Sequence, residues 1–304
     1  MENAYRNFYR TFYMNTGGFI PTKPLNQSLY PGDFFQIRNG EMIVLGNIFR
    51  ARVIDPMDCE IGNEIRLNPV TWNFSDGVTK PYSGRGHSTQ TGSGFEFSKQ
   101  ILSFDKRGSF FFKAEAPEAV KIMNWNGIQQ QLIIRLTQTQ YSFRELYVVT
   151  ECATTESWTL AIAGAPKAEL EITTDIENFG LVDIFGHHSA RTVQSKDIEY
   201  YHREPKRRPS FFKAKRLAVQ DEKLETFISQ LISAQQSQND WAREFFNYDF
   251  HYDHVYMPQV KDSQISLLDM LQSNQLNPNT ALLYFKWVDA NLDDIEKLFL
   301  KYGY

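Results

Sequence analysis

The sequence predicts an α+β fold: a twisted, antiparallel β-sheet body with packed helices and a C-terminal helical segment. Three observations predict it. The 304 residues carry 24 Phe and 15 Tyr against 17 Gly and 12 Pro, the composition of packed sheets rather than of linkers or fibres. Phe34 to Leu45 reads as two apolar runs joined by Asn39-Gly40, the residue pair that a two-residue type I′ hairpin requires. Past Glu222 the strand-like pattern gives way to a stripe of Leu224, Phe227, Ile228, Leu231 and Ile232, which is the spacing of an amphipathic helix.

Taken in order, Tyr5, Phe8, Tyr9, Phe12 and Tyr13 recur at near-helical spacing, a stripe that packs on its own core or serves as an interaction face. Pro21, Pro24 and Pro31-Gly32-Asp33 break regular structure and predict a loop leading into the hairpin. From Asn73 to Gly94 the chain is rich in Gly, Ser and Thr, which predicts a long loop or an exposed hairpin. Strands are expected at Phe110-Phe111-Phe112, Leu146 to Thr150, Trp158 to Ile162, Leu181 to Phe185 and Phe211 to Val219. Ala168-Glu169-Leu170-Glu171-Ile172 alternates strictly, so both glutamates share one face and the aliphatic residues the other. Ile128, Leu132, Ile133 and Leu136 have helical spacing. Asn277-Pro278, and Asn291 followed three residues later by Asp294, read as helix starts.

These readings divide the chain into a β-rich body, residues 1–221, and an acidic helical segment, residues 222–304. The segment holds twelve acidic and six basic residues, a net charge of -6, which leaves the body at +2 within a total of -4. An acidic segment lying against a mildly basic body is the arrangement this asymmetry favours. No run of about 18 apolar residues is present, so no membrane-spanning helix is expected. The N-terminus lacks the apolar stretch and cleavage site of a secretory signal, and Cys59 and Cys152 make no disulfide framework; a cytoplasmic location is expected.

Enzyme signatures are missing: there is no Walker loop, dinucleotide glycine fingerprint, His-Glu-x-x-His or Gly-x-Ser-x-Gly. The expectation is a protein that is not an enzyme and has no cofactor. Gly84-Arg85-Gly86-His87-Ser88 brings a histidine beside a serine in sequence, which is not a nucleophile-base geometry. Asp249, His251, Asp253 and His254 are chemically suited to zinc, but their spacing matches no established pattern, and His187-His188 does no better. No metal site is assigned. The candidate binding residues are cations: Arg203, Lys206, Arg207, Arg208, Lys213, Lys215 and Arg216, interleaved with Tyr200, Tyr201, Phe211 and Phe212. Clustered cations with aromatics suit an anionic lipid surface, whereas a solvated strand edge protected by lysine is the plainer reading. Nucleic acid is not expected as a partner.

Two further stretches carry a resemblance. Gly108 to Ala114, Val120-Lys121-Ile122, the helical Ile128 to Leu136 and Glu145 to Glu151 resemble the core of bacterial gasdermin pore-forming domains. Asp197 to Tyr201 and Pro209 to Leu217 resemble the last strands of that domain. The likeness spans about residues 95–220. It implies an autoinhibited precursor that a protease activates, that assembles as a homo-oligomer on anionic membrane lipids, and that inserts β-hairpins as a pore at the inner membrane, killing the cell in antiviral defence. On that view, residues 73–94 with their flanks and Glu156 to Arg191 are the inserting regions, and the acidic tail is the inhibitor. The chain differs from the pattern in lacking a cysteine near its start and in having a tail of some 80 residues. The competing expectation is a non-enzymatic structural or interaction protein, such as a β-sandwich phage or assembly component.

Overall fold

Helix α1 (Glu2–Thr16) turns the aromatic stripe inward, with Phe8 and Phe12 fully buried and Tyr9 nearly so. The structure, a computed structural model, describes residues 2–88, 95–137, 146–174, 191–229 and 278–300. Phe12 stacks on Phe211 at 4.8 Å and meets Trp72 and Phe112 edge-on, so the helix and the sheets share one aromatic core.

Among the described residues the main sheet has eight strands. Its path runs β1 (Ile20–Pro21), β15 (Arg208–Val219), β10 (Leu146–Thr155), β2 (Asp33–Arg38) and β3 (Glu41–Asn47). Beside this path, β9 (Glu118–Lys121) pairs with β10, β4 (Ile65–Arg66) pairs with β9, and β16 (Phe285–Asp289) pairs with β15. Every pairing is antiparallel. Asn39 and Gly40 both have positive φ, 52° and 78°, so β2 and β3 are joined by the expected type I′ turn. Strand β10 is covered on both faces, which explains its unbroken apolar run. Tyr147 and Val149 enter the cluster that holds α1, while Leu146 and Val148 enter the cluster built on helix α2 (Trp125–Thr137) with Ile128, Leu132 and Leu136.

A second sheet runs β14 (Ile198–Glu204), β11 (Ser157–Ala163), β8 (Phe110–Glu115), β5 (Asn73–Asp76). A third runs β13 (Arg191–Lys196), β12 (Ala168–Thr174), β7 (Phe95–Phe104), β6 (Val78–Ser88). The strands expected at 110–112, 146–150, 158–162, 168–172 and 211–219 are all present.

One expectation is settled between its two alternatives and another is corrected. Residues 73–88 are strands β5 and β6, so the hairpin alternative applies there and not the loop; β6 pairs with β7 from Val78↔Phe104 to Ser88↔Phe95, a partner that supplies the ladder its own Gly- and Ser-rich sequence does not announce. The region expected to be helical after residue 221 does contain helical residues 224–229, helix α3 (Pro278–Tyr284) and helix α4 (Leu292–Lys297), but Phe285–Asp289 is a strand. The strand expected at Leu181 to Phe185, the end of the stripe at Leu231 and Ile232, and the cap at Asn277 lie outside the described residues.

Candidate functional site

Parts of the two regions that the resemblance marks as inserting lie in one sheet, β6 of the first and β12 of the second, while β5 and β11 of the same regions belong to the second sheet. Hairpin β6–β7 and hairpin β12–β13 are joined through β7 and β12, paired from Phe104↔Ala168 to Ser98↔Thr174. Alternation gives this sheet one apolar and one polar face. Leu102, Phe104, Ala168, Leu170 and Ile172 are buried against Phe111, Ala161 and Ala163 of the second sheet. On the other face Lys99 and Glu171 form an ion pair at 2.6 Å. Strands β6 and β13 end the sheet, and neither has a second partner among the described strands.

The candidate cations do not form one patch. Arg203 is on β14 and exposed Lys206 follows it in the turn before β15. Arg207 lies 2.8 Å from Glu64 and 2.5 Å from Glu118, carboxylates that raise its pKa, and Arg208 lies 3.9 Å from Glu204. Lys213 sits 3.4 Å from Glu151 and over the Phe19 ring. Lys215 and Arg216, being adjacent on a strand, point to opposite faces. Lys215 meets Asp289 at 2.5 Å, and Arg216 meets Asp294 at 3.1 Å.

Asp289 and Asp294 both belong to the C-terminal segment, which grips the body in three ways. Strand β16 adds to the edge of β15, from Lys215↔Asp289 to Val219↔Phe285. Helix α4 is started by a capping box: Asn291 accepts from the backbone of Asp293 and Asp294, and the Asp294 carboxylate accepts from the Asn291 backbone N–H. The second oxygen of Asp294, a residue 2% exposed, accepts from the Tyr147 hydroxyl at 2.7 Å and lies 3.1 Å from the Lys297 ammonium. Arg216 Nε approaches the same oxygen without the alignment of a hydrogen bond, so its contribution is charge compensation. Finally, Glu296 pairs with Arg6 and Arg10 on α1, and Lys23 donates to the Leu298 carbonyl. The cap of α4 is legible in the sequence. The burial of Asp294 is not, because Tyr147 and Arg216 are remote along the chain; the charge asymmetry is the one signal that points toward it.

Other candidates carry less chemistry. An open groove of about 730 Å³ between α1 and the turn before β8 is lined by Asn3, Asn7, Asp76, Lys106, Arg107 and Glu199, with no serine, cysteine or histidine. Burial pushes the Cys152 thiol up to about 12 and also raises Cys59, which disfavours either thiolate at neutral pH. Burial lowers the pKa of His202, whose ring lies 4.6 Å from that of Trp158. Among the described residues no group of three metal-ligating side chains occurs and no helix is long and apolar enough to cross a membrane. Asp249, His251, Asp253, His254, His187 and His188 lie outside the described residues. No protein-family model matches the chain, and no curated protein matches it in sequence.

Proposed function

We propose that this protein is an autoinhibited pore-forming effector, in which residues 1–221 form the pore and residues 222–304 restrain it. Proteolytic release of the C-terminal region lets the body assemble on anionic membranes and insert hairpins β6–β7 and β12–β13. The observation that carries the reading is the placement of those hairpins in one antiparallel four-stranded sheet with an apolar face and two outer edges that pair no other described strand. Transmembrane barrels are built from such strands, since closing the edges satisfies the backbone in lipid. The clasp supplies a restraint of the right kind: Asp289, Asp294 and Glu296 neutralise Lys215, Arg216, Arg6 and Arg10. The protein rests in the cytoplasm and, once cut, acts at the inner membrane, where the pore kills the cell in defence.

The test is dye release from anionic liposomes by the full chain before and after limited proteolysis. Release confined to the cut protein is expected. Silence after cutting, with defined oligomers formed in the absence of lipid, would transfer the protein to the class of assembly components.

A further inference from the structure

We infer that the edge of β15 covered by β16 is the site where a second copy of this chain docks, and that the docking strand is β3, so that the main sheet continues from one protomer into the next. The inference rests on the proposed release of the C-terminal segment, and it names the contact that the release uncovers.

Strand β16 already shows what this edge accepts: a five-residue antiparallel strand along Lys215 to Val219. Strand β3 is the opposite end of the path β15-β10-β2-β3, and no described strand pairs with its outer side. Three successive antiparallel pairings make β3 run opposite to β15. A copy displaced along the sheet, without inversion, therefore brings its β3 antiparallel to the β15 of its neighbour, the direction β16 has now.

The faces match as well. Phe285 and Trp287 of β16 pack in the cluster that contains Leu217 and Val219, and Leu45 of β3 packs against the corresponding cluster in its own copy. Ile43 pairs with Gln36, which shares a face of β2 with Phe34 of that cluster, while Leu45 is the extra residue of a register shift between Val44↔Phe35 and Gly46↔Phe34. Ile43 can thus take the place of Phe285 on the face of Leu217 and Val219. The register that keeps this face continuous sets Ile43 opposite Val219 and Val44 opposite Ala218, ahead of the shift at Leu45.

Exposure supplies an independent reason. Ile43 and Val44 are 40% and 38% exposed on an edge strand whose one charged residue is Glu41. Proteins normally protect such an edge with charge, proline or a bulge, because it invites pairing with another chain; the shift at Leu45 interrupts the far end of β3 and leaves Met42 to Val44 as a regular, uncharged stretch. Strand β16, by contrast, places Lys286 and Asp289 on the edge it closes. Each copy then gives one edge and receives at the other, a heterologous contact that closes into a ring when the rotation between copies permits.

The experiment uses the full chain with Cys59→Ser, Val44→Cys and Ala218→Cys and an introduced protease site within residues 230–277. Directly opposed positions bring Cβ atoms about 5 Å apart, within reach of a short bismaleimide. After cutting on anionic liposomes, a ladder of cross-linked species is expected from the chain with both introduced cysteines, and none from the uncut chain or from either chain with one of them, the buried Cys152 being common to all. Absence of the ladder, or dimers from Val44→Cys alone, overturns the inference. Val44→Lys, at an exposed position, is expected to leave the melting temperature of the uncut chain unchanged and to abolish assembly after cutting; undiminished assembly would also overturn it. Dye release is read in the same samples. A ladder without release sinks the pore and leaves the contact standing, release without a ladder does the reverse, and the absence of both overturns both.

Discussion

The main sheet and the hairpin sheet are both antiparallel, yet they are held in different ways. Strand β10 of the main sheet is packed on both faces, between the aromatic cluster of α1 and the cluster of α2. The hairpin sheet is packed on one face, against Phe111, Ala161 and Ala163 with Ile198 and Tyr201 of β14 partly buried beside them, and its other face carries charge. Cooperative units with few buried contacts open first. On the proposed function, this difference makes the hairpin sheet, and not the main sheet, the part that leaves its packing.

The largest expected effect comes from the aromatic core. Phe112 is fully buried and touches Phe8, Phe12, Phe74, Trp158 and Phe211. Phe112→Ala is expected to cost about 3–5 kcal/mol in urea unfolding of the whole chain. Leu170→Ala removes an equally buried side chain from the hairpin sheet. Its expected signature is local: faster hydrogen exchange at 168–174 and 98–104, with the amides of β10 still protected. Global loss of protection in Leu170→Ala would erase the distinction between the two sheets.

The second effect concerns the clasp. Asp294→Ala removes the acceptor of the Tyr147 hydroxyl and the carboxylate that Arg216 and Lys297 share, an expected cost of about 2–4 kcal/mol. Asp294→Asn keeps the cap acceptor and is expected to recover part of it. Limited proteolysis should find residues 285–300 in the alanine variant well before any cleavage in β10, and equal rates at both places would show that the segment is part of the core and not a restraint upon it.

The same contrast governs how much could be read from sequence. Locally encoded features were legible: Asn39-Gly40 names its turn, Asn291 with Asp294 names its cap, and the alternation from Ala168 to Ile172 names both faces of β12. Features that depend on a distant partner were not. The stretch preceding Ser88 has few aliphatic residues because β7 and β12 supply the apolar face for the sheet, so composition alone left loop and hairpin open. Phe285–Asp289 is too short to distinguish by period from its helical neighbours, and it becomes a strand because β15 offers an edge. The cations from Arg203 to Arg216 were read as one cluster because they are close in sequence, whereas strand alternation sends Lys215 and Arg216 to different carboxylates on different faces.

The smallest effect lies on the polar face of the hairpin sheet. Lys99 and Glu171 are in contact at 2.6 Å, but both reach solvent, with side chains 29% and 17% exposed. An ion pair in that setting contributes below about 1 kcal/mol, since water and salt screen it and two side chains must be ordered to form it. Lys99→Ala is therefore expected to change the urea midpoint little, and to change it less still at high salt. A loss comparable to that of Leu170→Ala would mean that the outer face holds the sheet as firmly as the inner one does, and a sheet held on both faces would have no claim to be the part that leaves.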